Sequence, residues 1–147
     1  MTWSACRISG PIPSVPWMPC PGSIALCRGV ESPDSVYARK GSFGHEIAAN
    51  CLRDKIPAAK FLGATDGEFT FDQELADAVQ VYLDMARGTL LFDGGTLLVE
   101  TAVKVTDDIC GTADAIIVAG IEMHVFDLKL GAGKLVQARG NPQTRIY

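Results

Sequence analysis

Asp127 and Lys129 stand two positions apart, and Asp114 lies upstream in a stretch of similar apolar, β-branched character. Two carboxylates are what a hard divalent cation such as Mg²⁺ or Mn²⁺ requires, because such ions take oxygen ligands and keep several waters. A lysine beside the cation suits attack of water on a phosphodiester. The phosphate oxygens are negative, so the site must neutralise charge, generate hydroxide and stabilise the leaving oxygen. Nearby cations lower a lysine's pKa, which lets it help manage the proton of the water. Asp-x-Lys is nevertheless a common tripeptide, and on a strand it usually belongs to a solvated face; it gains meaning only from the residues around it.

Those residues must be positioned by regular elements. From Thr96 the apolar period becomes two, with Leu97, Val99, Thr101, Val103 and Val105 alternating with Leu98, Glu100, Ala102 and Lys104, which predicts a strand. The turn at Asp107-Asp108 leads to a second predicted strand, roughly 111–119, and Gly120 to a third, roughly 123–130. Such short connections make an antiparallel meander. Within the third strand Asp127 and Lys129 share a face, and Asp114 in the neighbouring strand is able to face them.

Two helices precede this meander. Ile47, Ala48, Cys51 and Leu52 form an apolar stripe that runs to the Pro57 break, and His45 and Glu46 sit within the same helix. Glu46 falls on a different helix face from His45 and reads as a solvent group. After an acidic, glycine-rich loop from Gly63 to Glu68, Asp72 caps a second helix whose Leu75, Val79, Tyr82, Leu83 and Ala86 line one face, with Gly88 as its expected end. The first 22 or so residues, with Pro11, Pro13, Pro16, Pro19 and Pro21, read as an extended arm. Ser23 to Arg28 predicts a short helix closed by Gly29, and Asn141-Pro142 starts a last helix. The fold class expected is α+β: one domain over 1–147, with a central three-stranded antiparallel meander flanked by helices.

Composition narrows the function classes. The chain has 147 residues, 48% of them hydrophobic, enough for one packed core. No stretch approaches the roughly 18 apolar residues of a membrane span, and the N-terminus lacks a basic segment followed by an apolar one, so a cytoplasmic protein with no membrane partner is expected. Five cysteines without a CxxC pair fit reduced thiols and disfavour a zinc knuckle. The net charge of −4 is unevenly placed: residues 1–60 hold seven Lys/Arg against four Asp/Glu, 61–120 two against eleven, and 121–147 four against two. A site that gathers carboxylates contributes to the acidic middle, although a solvated acidic helix accounts for most of it.

Gly111-Thr112-Ala113-Asp114, then Val125-Phe126-Asp127-Leu128-Lys129, then Gln143 with Tyr147, in that order, resemble the motif series of the RecB-type branch of the PD-(D/E)XK nuclease superfamily. Gly41-Ser42-Phe43-Gly44-His45-Glu46 is similar to the upstream helix from which that branch supplies a histidine ligand. Together with Cys20-Pro21-Gly22-Ser23 and Asn141-Pro142-Gln143, these motifs resemble an uncharacterised family of phage and prophage proteins in the superfamily, over nearly the whole chain. The resemblance implies a PD-(D/E)XK restriction-endonuclease-like core and a Mg²⁺- or Mn²⁺-dependent deoxyribonuclease. A phage exonuclease of recombination, replication or DNA degradation, working in the host cytoplasm, would fit it. By the same resemblance Asp114, Asp127, His45 and the backbone carbonyl of Leu128 hold the cation, Lys129 assists the water, and Gln143 and Tyr147 support the site and the DNA strand.

Glu100, pointing from the first strand, is expected behind these ligands, and Lys134, Arg139 and Arg145 are expected to meet the nucleic-acid backbone. Gly131-Ala132-Gly133-Lys134 resembles a phosphate-binding loop only faintly: the full spacing is missing and no Ser or Thr follows the lysine. Some relatives hold an iron–sulfur cluster through one upstream and three C-terminal cysteines; none follows Cys110 here, so no cluster is expected within this chain and Cys20 reads as structural. The superfamily core continues past the Gln/Tyr helix to a further strand. The expectation is therefore a core lacking its last strand, or a sheet edge completed by a second chain or by self-association. The alternative function is an inactive nuclease fold serving as a DNA- or protein-binding module, or as a phage regulator of a host complex.

Overall fold

A computed structural model describes residues 36–104 and 110–130, together with the single positions Gly22 and Arg139. The predicted N-terminal arm, the helix at 23–28, the Asp107-Asp108 turn and the helix from Asn141 lie outside the described residues.

Helix α1 spans Val36–Asp54 and buries Phe43, Ile47, Ala48, Cys51 and Leu52, the three-and-four spacing of one helix face. It stops where Lys55 takes φ 57° and the Ile56 N–H reaches back to the Cys51 carbonyl at 3.1 Å, a Schellman closure that Pro57 then prevents from continuing. A short 3₁₀ turn, Ala58–Phe61, follows. The acidic loop predicted at Gly63 to Glu68 is in part a small hairpin of β1 (Thr65–Asp66) and β2 (Phe69–Thr70), and it leads to Phe71, fully buried and edge-on to Phe43 with ring centroids 6.3 Å apart.

Helix α2 spans Gln73–Asp93, and Asp72 accepts from the Leu75 N–H at 2.9 Å as its N-cap. Its buried face is the expected one, Leu75, Val79, Tyr82, Leu83 and Ala86. The helix does not end at Gly88. It continues to Asp93, because an interior glycine costs only about 1 kcal/mol and the left-handed stop lies at Gly94, with φ 69°. Arg87 ties the two helices together by donating to the carbonyls of Cys51 at 2.9 Å and Ile56 at 2.7 Å.

Three antiparallel strands follow in the order β3 (Thr96–Lys104), β4 (Cys110–Ala119) and β5 (Glu122–Phe126). The structure is thus α+β, with two long helices and a three-stranded antiparallel sheet. β4 and β5 are joined by the two-residue turn Gly120-Ile121, with Gly120 at φ 60°, as a tight hairpin requires. Val99, Ala115 and Phe126 pair in one row across all three strands and belong to the same core as α1 and α2. β5 ends four residues earlier than the alternation suggested, so Asp127 and Lys129 lie just beyond it, in irregular chain. Among the described residues no helix is long and apolar enough to cross a membrane.

The corner between α2 and β3 depends on Gly95. At φ 98°, a Cβ there would collide with the backbone carbonyl of Val118, which is held in the sheet, whereas a Cβ at Gly88 would meet nothing within 4 Å. Urea unfolding is expected to show Gly95→Ala destabilised by more than about 1 kcal/mol and Gly88→Ala stabilised by up to about 1 kcal/mol. Equal effects of the two substitutions would contradict this account of the corner.

Candidate metal centre

The row of residues next to Val99, Ala115 and Phe126 consists of Glu100, Asp114 and Asp127, and at that row both ladders break. Val99 pairs with Ala115 and Thr101 with Ala113, but no pairing joins Glu100 to Asp114 between them. Glu100 has φ 50°, a left-handed conformation that costs a residue with a side chain roughly 1–2 kcal/mol. On the other side the β4–β5 pairing stops at Ala115 with Phe126, one step short of Asp114 with Asp127. Carboxylates set directly opposite one another in a sheet repel, so regular pairing is least favourable at this row.

Instead of extending the ladder, the Leu128 N–H donates to Asp114 Oδ2 at 2.6 Å. The other carboxylate oxygen, Asp114 Oδ1, lies 3.1 Å from Nδ1 of His45 on α1. Beside His45, Gly44 leaves room for the end of the Leu130 side chain, which a Cβ there would displace. His45, Glu100 and Asp114 thereby present one nitrogen and two carboxylate groups whose donor atoms all lie within 4.8 Å of one another. Asp127 and Lys129 are adjacent, with Lys129 Nζ 2.6 Å from Asp127 Oδ2.

These groups open onto a cavity of about 690 Å³, walled on one side by α1 and on the other by Thr112, Asp114 and the Asp127–Leu130 segment. The electrostatics reflect crowding. Burial alone would lower the pKa of His45, but the hydrogen bond to Asp114 and the charges of Asp114 and Glu100 outweigh it, against some opposition from Lys129, and the net shift is upward. Glu100 is also raised, by burial and by the charge of Asp114, with His45 and Arg53 pulling the other way. Burial raises the Tyr82 hydroxyl strongly, and the charges of Asp114, Glu100 and Asp127 add to it, so this α2 ring sits within the field of the carboxylates.

The structure therefore brings together His45, Asp114, Asp127, Leu128, Lys129 and Glu100 at one cavity. Glu100, expected behind the ligands, has its carboxylate among the converging donors of His45 and Asp114, while Asp127, expected among the ligands, lies beside Lys129. Glu46, read as a plain solvent group, is exposed but also lines the cavity. Arg139 is exposed and does not line it. Gln143, Tyr147, Lys134 and Arg145 lie outside the described residues. Sequence reasoning missed Arg53, which also lines the cavity; the signal was its position two helical turns, eight residues, beyond His45 on the same helix face. Tyr82 is core, as its helical spacing predicts, and its hydroxyl also feels the carboxylates of the site, which no spacing reveals.

Residues 11–147 match the family described as "Protein of unknown function (DUF2800)", and the chain belongs to that family. No solved structure matches the chain.

The His45–Asp114 contact makes a stability prediction. A histidine whose folded-state pKa is raised stabilises the fold fully below its unfolded value, near 6.5, and loses that contribution as pH climbs through the raised value. The parent should therefore exceed His45→Gln in unfolding free energy by about 1 kcal/mol at pH below 6.5. The margin should shrink on going to alkaline pH; urea titrations giving a margin that widens with pH would refute the assignment.

Proposed function

We propose that this cavity is the active site of a divalent-cation-dependent nuclease that hydrolyses phosphodiester bonds in DNA, built on a PD-(D/E)XK-type core. The observation that carries the reading is the convergence of His45, Glu100 and Asp114 donors within 4.8 Å, with the Asp127–Lys129 pair beside them. One imidazole nitrogen with carboxylate oxygens and no thiolate suits Mn²⁺ well and Mg²⁺ acceptably. A bound cation would supply charge neutralisation at the phosphate and acidify a water.

The chain's own groups divide the remaining work. Asp114 and Glu100 hold negative charge at the centre, and His45 adds a neutral donor once its proton has left. Lys129, oriented by Asp127, directs its N–H groups at the attacking water and the phosphate oxygens, offsetting charge that grows as the leaving oxygen departs. The Leu128 carbonyl, Gln143 and Tyr147 complete the set implied by the motif order. A role for such an enzyme in phage recombination, replication or DNA degradation is part of the same proposal.

Labelled single- and double-stranded DNA incubated with Mn²⁺ or Mg²⁺ should be cleaved, and EDTA should stop the reaction. Asp114→Asn, Asp127→Ala and Lys129→Ala should each lower the rate by roughly 10²-fold or more. DNA binding without cleavage under all these conditions would replace the enzyme with a binding module. Calorimetric Mn²⁺ uptake should also strengthen as pH rises from about 6 to 8, with proton release, because His45 must deprotonate to serve as a ligand. An affinity indifferent to pH, or unaltered in His45→Ala, would remove the histidine from the site.

A further inference from the structure

We infer that the cleft takes a single strand of nucleic acid laid along α1, with Tyr37 as a base-stacking platform at one end and Arg53 as a phosphate contact at the other. This rests on the nuclease reading of the site and names the form of its substrate.

The cavity lining runs along α1 from Tyr37 to Arg53, sixteen residues or about 24 Å of helix, with His45 at the middle. Between these ends the helix contributes His45 and Glu46 and the small residues Ala38, Gly41, Ser42 and Ala49 to the wall. The form of the strand follows from the groups at the ends of this lining, since an aromatic side chain stacks on a base only where that base is free of a duplex stack.

The end groups are of the kinds that hold a strand without reading its sequence. Tyr37 is 67% exposed, an aromatic ring turned to solvent at the mouth of a charged cleft. Base–aromatic stacking is tolerant of base identity because every base has a π face. Arg53 lies at the other end, close enough to Glu100 for its charge to favour the ionised carboxylate. Its guanidinium suits bidentate contact with a phosphate.

Charge sets a condition on entry. Glu46, Glu100, Asp114 and Asp127 face the cavity against Arg53, Lys129 and His45, so acid predominates until a cation is bound. A polyanion is then repelled from the empty centre and attracted to the filled one, which couples strand binding to cation binding.

The test is fluorescence anisotropy on the full chain with a labelled oligothymidylate and a blunt duplex of equal length. Titrations are run with Ca²⁺, an oxygen-seeking ion, or with EDTA, and gels of parallel samples in Mn²⁺ and Mg²⁺ report any cleavage. The single strand should bind at least tenfold tighter than the duplex, and only with the cation. Tyr37→Ala should weaken strand binding about 5- to 150-fold while Tyr37→Phe retains it, and Arg53→Ala should reduce the slope of log affinity against log salt by about 0.7. Equal affinity for the duplex, a Tyr37→Phe as weak as Tyr37→Ala, or an unchanged salt slope in Arg53→Ala would overturn the inference. Cation uptake by calorimetry in the same variants separates the two readings. Intact uptake and cleavage without strand preference sinks the groove alone, whereas strand preference without cleavage keeps the groove and sinks the nuclease.

Discussion

The carboxylate of Asp114 is the point at which three distant pieces of chain are tied together. One oxygen meets the His45 ring of α1 at 3.1 Å, and the other receives the Leu128 N–H at 2.6 Å. Asp114 itself sits in β4, the central strand, where the pairing of its neighbours Ala113 and Ala115 restricts its backbone. Hydrogen bonds to an ionised group are shorter and stronger than neutral ones, and this side chain is only 14% exposed, so water competes weakly for its oxygens. Helix, sheet and the segment leaving β5 are thereby brought to a common centre, and the cavity forms where they meet.

That centre is electrostatically unfavourable in the cation-free chain. Glu100 and Asp114 stand opposite each other in the sheet with Asp127 just beyond its third strand, the ladder opens on both sides of Asp114, and Glu100 occupies a left-handed backbone conformation. A sequence selected for stability alone would place apolar or paired residues there, as the neighbouring row of Val99, Ala115 and Phe126 does. Strain and like-charge crowding cluster where a site needs them, and the surrounding packing has to hold them. Here that packing is the core formed by α1, α2 and the sheet, including the fully buried Phe71, Val79 and Leu83.

Crowding also gives direction to the chemistry. Lys129 offsets the carboxylate of Asp127, and His45, whenever its ring is protonated, offsets that of Asp114. On the proposed reading a divalent ion would supply more charge than either, displacing the proton of the histidine and leaving the lysine able to turn toward a phosphate. The cavity lining runs along α1 on both sides of this centre, from Tyr37 to Arg53.

Much of this was written in local spacing. The apolar faces of both helices, the Asp72 cap and the three strands followed from periods of three-to-four and two, because burial of one face selects residue types at those intervals. The gathering of His45, Asp114, Asp127 and Lys129 was anticipated from ordered motifs. The tertiary structure alone decided the rest: that α2 runs through Gly88 to Gly94, that β5 ends at Phe126, and that Glu100 converges on the donors while Asp127 turns to Lys129. Alternation marks which residues are buried, but it carries no information about where repulsion between facing carboxylates opens a ladder. That depends on which strands become neighbours and in what register, and only the folded chain sets both.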